Sequence, residues 1–348
     1  HLKYVVVDEC HTYRGVFGAN VALVLRRLLR IAAAYGSSPT LIYASATAAD
    51  PAGQARRLSG REAVAVTEDA APSGERTIVL WEPGFIEGAE GEGGAPVRYP
   101  ATAEAASVSA ELLLQGARTL TFVRSRRAAE TVAMRTQEHL STAGRADMAE
   151  RVAPYRAGYL AEDRRELERR LDNGELLGVA STNALELGID VGGLDAVVMA
   201  GFPGTVASFR QQAGRAGRRG QSSVAVLVAR DEPMDTYLVH HPEALLGTPV
   251  ENSVFDPTNP FILRGHVYCA AVERPLSEAD VEAFGARDVV DDLTAAGLLR
   301  RRPAGWFAVP QLDGEITPES AHASVSLRGG VGEQVMIVDV TDGRLLGT

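Results

Sequence analysis

Gln211-Gln212-Ala213-Gly214-Arg215-Ala216-Gly217-Arg218-Arg219 decides how this chain is read. Arg215 and Arg218 stand three apart on a predicted helix, so their guanidinium groups share a face and point into one cleft. Gly214 and Gly217 would each cost about 1 kcal/mol in a helix kept only for stability, which argues against an ordinary basic helix end. Arg219 reads as a solvated neighbour. About two hundred residues upstream, the apolar β-branched run Tyr4-Val5-Val6-Val7 ends in Asp8-Glu9-Cys10-His11. That is the pattern of a central parallel strand presenting a site at its C-terminal end. Asp8 can hold a Mg²⁺ that bridges two phosphates, Glu9 can polarise an attacking water, and the two arginines can meet the charge developing on a γ-phosphate. Phosphoryl transfer needs these three parts.

Two further segments fall between them, and the order matters more than any one motif. Asp8 to His11, Ser45-Ala46-Thr47, the run from Thr182 to Asp190 and Gln211 to Arg218 follow one another in the chain. This series resembles motifs II, III, V and VI of the superfamily 2 DExH helicases, over about residues 1–230. Tyr155-Arg156-Ala157-Gly158-Tyr159, Asn183-Ala184-Leu185-Glu186, Gly201-Phe202-Pro203-Gly204-Thr205 and Asn259-Pro260 are similar to the bacterial mitomycin-repair DNA helicase family (MrfA/YprA-like). The resemblance implies an ATP-dependent DNA helicase or translocase, running 3′ to 5′ in DNA repair, with ATP and Mg²⁺ as cofactors. Its DNA would be single-stranded or a tailed duplex.

By that resemblance Gln211, Arg215 and Arg218 join Asp8, Glu9 and His11 as the catalytic set, with His11 in coupling. Gly188 and Asp190 contact the nucleotide, and Thr182 touches a nucleic-acid phosphate. Ser45, Ala46 and Thr47 link hydrolysis to strand movement. Thr121-Phe122-Val123-Arg124-Ser125-Arg126 resembles motif IV and makes Arg124 and Arg126 phosphate candidates. Glu186 stays ambiguous, with helix surface as its plain reading.

A P-loop requires a lysine after a glycine-rich turn, and the only lysine is Lys3, outside any such turn. The stretch is therefore expected to be a piece cut inside its first motor domain, a complete protein that has lost nucleotide binding being the alternative. A non-enzymatic nucleic-acid clamp and an RNA-directed motor also stay open, because contacts to the strand backbone do not separate DNA from RNA.

Periodicity divides the chain into an α/β protein with an appendage. Residues 1–67 read as the end of a first RecA-like domain, with Asn20 capping a helix whose apolar face holds Val21, Val24, Leu25, Leu28 and Leu29, and a strand over 40–44. Residues 68–101 read as a linker whose Glu87 to Gly94 run is a flexible acidic loop. Residues 102–230 alternate strand and helix, so they predict a complete second RecA-like domain, a parallel sheet with helices on both faces. The second domain starts to show at about Arg76. Residues 231–275 form a helical connector, 276–310 a small winged-helix-like domain and 311–348 a truncated β segment.

At 348 residues and 45% hydrophobic content, the chain can bury two substantial cores. Cys10 and Cys269 offer no disulfide framework or metal spacing, and no run is long enough for a membrane span, so the expected compartment is the cytoplasm. The net charge of −10 argues mildly against a polyanion partner, yet strand-binding motors hold the backbone through local groups. The paired arginines of 164–170 alternate with Glu166 and Glu168 and read as a salt-laced helix face. Trp306 reads first as core, with base stacking as the functional alternative.

Overall fold

A computed structural model describes the chain apart from residues 1, 46–47, 69, 71–73, 156–160, 187–191, 218–219, 310–319, 329–336, 339–340, 342–344 and 348. It forms two compact units, residues 1–66 with 252–348, and residues 67–251.

In the first unit, β1 (Tyr4–Val7) pairs in parallel with β2 (Thr40–Tyr43), connected by α1 (Gly15–Ala34) and followed by α2 (Pro51–Ser59). Strand residues alternate faces, so Val5 and Val7 turn toward Ala22 and Leu25 of α1 and Leu58 of α2. Tyr4 and Val6, on the opposite face, are each 64% exposed, which corrects the expectation of a strand buried on both sides. Asn20 does not cap α1 either. The helix starts five residues earlier, and Asn20 is buried inside it. Val24 and Leu28 are exposed, because α1 is packed along two stripes rather than one. Ala22 and Leu25 meet the strands, while Asn20, Leu23 and Arg27 meet α10 (described below).

The second unit contributes β3 (Arg76–Trp81), a hairpin of β4 (Phe85–Glu90) with β5 (Pro96–Arg98), then α3 (Ala101–Leu114), β6 (Thr119–Phe122) and α4 (Arg126–Thr142). It continues with α5 (Ala146–Ala149), β7 (Val152–Tyr155), α6 (Ala161–Asp172), β8 (Gly178–Ser181), β9 (Ala196–Ala200), α7 (Val206–Ala213), β10 (Ser223–Val228), α8 (Pro233–His240) and α9 (Pro242–Leu246). Six parallel strands lie in the order β3-β10-β9-β6-β8-β7. The period of two explains the two cores. Leu120, Phe122, Val197, Met199 and Leu227 bury on one face with α7, and Val198, Ala200, Val226 and Val228 bury on the other with α3 and α4. Segment 68–101 is therefore not a plain linker: Arg76 to Trp81 is an edge strand of the sheet, and the acidic run begins inside a hairpin whose Phe85 carries the Arg98 guanidinium 4.1 Å above its ring.

The chain returns to the first unit in α10 (Pro260–Glu273), capped by Asn259 with Pro260 in the first turn. Next come α11 (Glu278–Phe284), closed by a Ser277/Asp280 capping box, α12 (Arg287–Ala295), and the antiparallel wing β11 (Leu299–Arg302) and β12 (Gly305–Ala308). Gly305 is required there. Its φ is +125°, and a Cβ would lie 1.9 Å from the Leu276 carbonyl oxygen. Trp306 is 2% exposed in the core with Leu276 and Leu293, as the plain reading expects. Two short strands, β13 (Ile337–Val338) and β14 (Leu345–Gly347), pair in the last segment. No described helix is long and apolar enough to cross a membrane.

Candidate functional site

The parallel register of β1 and β2 brings two sequence-distant loops together at their C-terminal ends. Ala44 N–H donates to the Val7 carbonyl at 2.9 Å, and Cys10 N–H to the Ala44 carbonyl at 3.0 Å. The acids therefore start beside the Ser45 loop. Asp8 is exposed, and its carboxylate accepts from Glu9 N–H at 2.8 Å. Glu9 takes φ 48° and ψ 42°, the single left-handed non-glycine residue among those described. Such a conformation stores roughly 1–3 kcal/mol and persists where surrounding contacts enforce it. Here the enforcing contacts are visible: Thr12 donates to the Glu9 carbonyl through both N–H (2.9 Å) and Oγ1 (2.8 Å).

His11 Nδ1 lies 2.9 Å from Ser45 Oγ and 3.5 Å from Glu9 Oε2, and its side chain is only 12% exposed. Ser253 Oγ donates to the His11 carbonyl at 2.9 Å and Gln54 Nε2 to that of Cys10. The structure thus unites Asp8, Glu9, His11 and Ser45. Burial pushes the Cys10 thiol above its ordinary range, so this cysteine stays protonated and acts as packing. Ala46 and Thr47 lie outside the described residues.

In the second unit the loops after β6, β8 and β9 converge at the C-terminal edge of the sheet, where α/β proteins place their sites. Arg124, Asn183, Glu186, Pro203, Ser208 and Gln212 line a cavity of about 210 Å³ there. Arg124 donates to the Phe202 carbonyl at 3.3 Å, with its side chain 57% exposed and 3.8 Å from Glu232. Arg126 opens α4 and is exposed. Thr182 is half-buried at the start of a short 3-10 turn. The N-terminus of α7 is closed by Thr205 Oγ1 and by Glu251, whose carboxylate accepts from Val206 N–H at 2.7 Å and Ala207 N–H at 3.2 Å.

The arginine motif differs from its expected form. Helix α7 stops at Ala213, so Arg215 sits in the turn beyond it rather than on a helical face. Gly217 has φ +76°, and a Cβ there would come within 2.4 Å of Ser223 Oγ. Its glycine is a turn requirement, and the helix cost invoked from sequence does not apply. Arg215 is 7% exposed and donates to the Glu186 carbonyl, while Gln212 Nε2 donates to Glu186 Oε2 at 2.9 Å. Glu186 is 6% exposed, not a helix-surface acid, and ties two motifs together. Gln211 is likewise buried. Gly188, Asp190 and Arg218 lie outside the described residues.

Among the described residues no group of three His, Cys, Asp or Glu forms a metal cage. An exposed carboxylate such as Asp8, next to a second acid, suits instead a Mg²⁺ held through water and substrate phosphates.

The first unit holds a strand-end acid pair and a winged helix, and the second a RecA-like sheet with glutamine and arginine at its C-terminal edge, parts of the kind that superfamily 2 helicases carry. Residues 104–220 match the helicase conserved C-terminal domain, and residues 255–330 the winged helix domain of the ATP-dependent helicase HRQ1. The chain is 42% identical to the uncharacterized ATP-dependent helicase YprA of Bacillus subtilis over 98% of its own length and 44% of that protein's. It is 40% identical to the ATP-dependent helicase HRQ1 of Saccharomyces cerevisiae, over 99% of this chain and 32% of that one. The crystal structure of the DUF1998 helicase MrfA bound to DNA superposes with a TM-score of 0.83 at 40% identity, covering 99% of this chain and 44% of that one. Over nearly its whole length the chain is similar to superfamily 2 helicases of the MrfA/YprA-like type, and it spans less than half the length of these relatives.

Proposed function

We propose that this chain supplies part of an ATP-dependent DNA helicase or translocase, acting 3′ to 5′ in DNA repair. The observation that carries the reading is the His11–Ser45 contact, which joins the acid loop to the neighbouring strand end. When bound, ATP with Mg²⁺ would supply the phosphoryl group and neutralise its charge. Asp8 would hold the metal through water, and Glu9, aimed by its left-handed backbone, would orient the attacking water. His11 would pass the state of that site to Ser45, Ala46 and Thr47. Gln211, Arg215 and Arg218 would meet the γ-phosphate, Gly188 and Asp190 the nucleoside, and Thr182, Arg124 and Arg126 the strand backbone. DNA is favoured as the strand by the MrfA complex, and two buried free thiols suit a cytoplasmic protein.

The 348 residues hold no phosphate-loop lysine, so on their own they are expected to turn over ATP very poorly. The test is ATP hydrolysis by this chain joined to any sequence its native reading frame carries upstream, with single-stranded DNA, single-stranded RNA or neither. Stimulation by DNA that Glu9→Gln abolishes supports the proposal. Stimulation by RNA alone would redirect it to an RNA motor. Intact DNA binding without hydrolysis under any condition would replace the motor with a passive clamp.

A further inference from the structure

A cavity of the first unit lies away from the acid site. It measures about 830 Å³, within the range of ligand pockets, and sits where α1 and α2 end and the wing begins. Asp8 and Ser45 occupy the C-terminal ends of β1 and β2. The cavity is at the other end, since its Arg61 donates to the carbonyl of Pro39, the residue before β2, at 3.4 Å.

Charge is distributed unevenly around it. Of the lining groups, Asp280 is matched by Arg30, whose Nε stands 3.0 Å from Oδ1, and Arg30 spends its other donors on the carbonyls of Ala270, Arg274 and Pro275. Arg26, Arg61 and Arg274 have no acidic partner among the described residues. Arg26 donates to the Arg57 carbonyl at 2.9 Å, but its buried Nε has no hydrogen-bond partner. Leaving such a donor unmatched costs about 1–3 kcal/mol, more for a charged group. The wing adds to this. Arg300 and Arg302 lie on the face of the hairpin that carries Phe307, with the Arg302 guanidinium 5.1 Å from that ring, and Phe307 lines the cavity. In a chain of net charge −10, three arginines without an acidic partner among the described residues line this one opening, and a fourth, Arg302, stacks on the Phe307 at its edge.

We propose that this cavity binds a phosphate-bearing ligand, with Arg26, Arg61 and Arg274 donating to the phosphate and Phe307 supplying a wall for an attached ring. Guanidinium forks match phosphate oxygens in pairs, and an aromatic wall beside them suits a nucleic-acid strand better than a carboxylate peptide. The phosphate comes either from such a strand, which rests on the nucleic-acid reading above, or from a free ion, which does not.

Two ligands separate these sources: fluorescein-labelled dT12 followed by anisotropy between 50 and 200 mM salt, and inorganic phosphate followed by calorimetry. Both are applied to the 348-residue chain, to Arg274→Gln at an exposed position and to Arg61→Gln at a half-buried one, with circular dichroism melts as the folding control. The expected result is dT12 binding weakened about threefold to tenfold by each replacement, with the slope of log K against log salt reduced by about 0.7 per arginine. Phosphate binding that disappears in Arg61→Gln while dT12 binding is unchanged, or absent altogether, assigns the cavity to the free ion. Affinities and salt slopes equal to the wild type for both ligands would overturn the proposal.

Discussion

At the scale of single residues, Glu9 and Glu186 are both acids held under constraint, for opposite reasons. Glu9 sits in a left-handed backbone fixed through its carbonyl by Thr12, while its carboxylate reaches His11 Nδ1 at 3.5 Å, so the strain is attributable to orientation rather than to folding. Glu9→Gly is therefore expected to leave thermal stability unchanged or raise it by up to about 1 kcal/mol, glycine accepting that conformation without a Cβ penalty. A thermal melt showing a loss above about 1 kcal/mol would mean that the carboxylate holds the loop. Glu186 is the converse case. Its side chain accepts from the buried Gln212 amide, so Glu186→Ala leaves that donor unmatched at a cost of about 1–3 kcal/mol, whereas Glu186→Gln keeps an acceptor and should cost less than half as much. Equal destabilisation of the two variants in chemical denaturation would show that the contact contributes nothing. The first acid was legible because an apolar β-branched run followed by two carboxylates is a local signal. The second was not: Gln212 is 26 residues away, and an acid after Asn-Ala-Leu reads equally well as helix surface. The one available cue was an acid in the loop after a buried strand, ahead of a glutamine-arginine run.

Among the elements, α1 shows most clearly where reading from sequence stops. Its existence follows from its apolar periodicity, but its start and its faces do not, because two partners bury it and one of them lies more than two hundred residues downstream. Asn20 looks like a cap in sequence since asparagine favours that position. In the structure its Oδ1 accepts from Nε2 of His266 at 2.9 Å, and the Arg27 guanidinium lies 3.1 Å from His266 Nδ1. Arginine only donates, so Nδ1 must accept, and His266 is held neutral with its proton on Nε2. Burial first, then the Arg27 charge, push its pKa down to about 4. The unfolded histidine binds more protons between pH 6.5 and 4, so this group's contribution to stability is complete above pH 6.5 and is lost as the pH falls toward 4. That loss amounts to about 3 kcal/mol over the window. Urea titrations at pH 7, 6, 5 and 4 should trace the decline, and His266→Gln should flatten it above pH 4.5. Glu273, held low by Arg27 and His322 against its own burial, acts only below that pH. A variant with the same pH profile as the wild type would remove His266 as the cause. The acidic run after Phe85 escaped in the same way: its glycines and glutamates suggest a loop, and only pairing with 96–98 makes it a strand.

For the whole molecule, the discontinuous first unit makes the last expectation. Residues 67–251 contain every strand of the six-stranded sheet and the buried clusters on both of its faces. Expressed alone, they should unfold cooperatively with a denaturant slope appropriate to about 185 residues. Residues 252–348 are in a different position. The winged-helix core includes Leu23 of α1, and His266, Glu273 and Asp280 meet Asn20, Arg27 and Arg30 on that same helix. Without residues 1–66, a hydrophobic contact is opened to water and a buried histidine loses both polar partners, costs of several kcal/mol against the few that a domain of this size holds in reserve. The isolated 252–348 segment should therefore show a broad, low-temperature melt that sharpens when residues 1–66 are supplied as a separate chain. A sharp melt of 252–348 alone, unchanged by that addition, would show that the winged helix carries its own stability and that the α1 contacts merely position it.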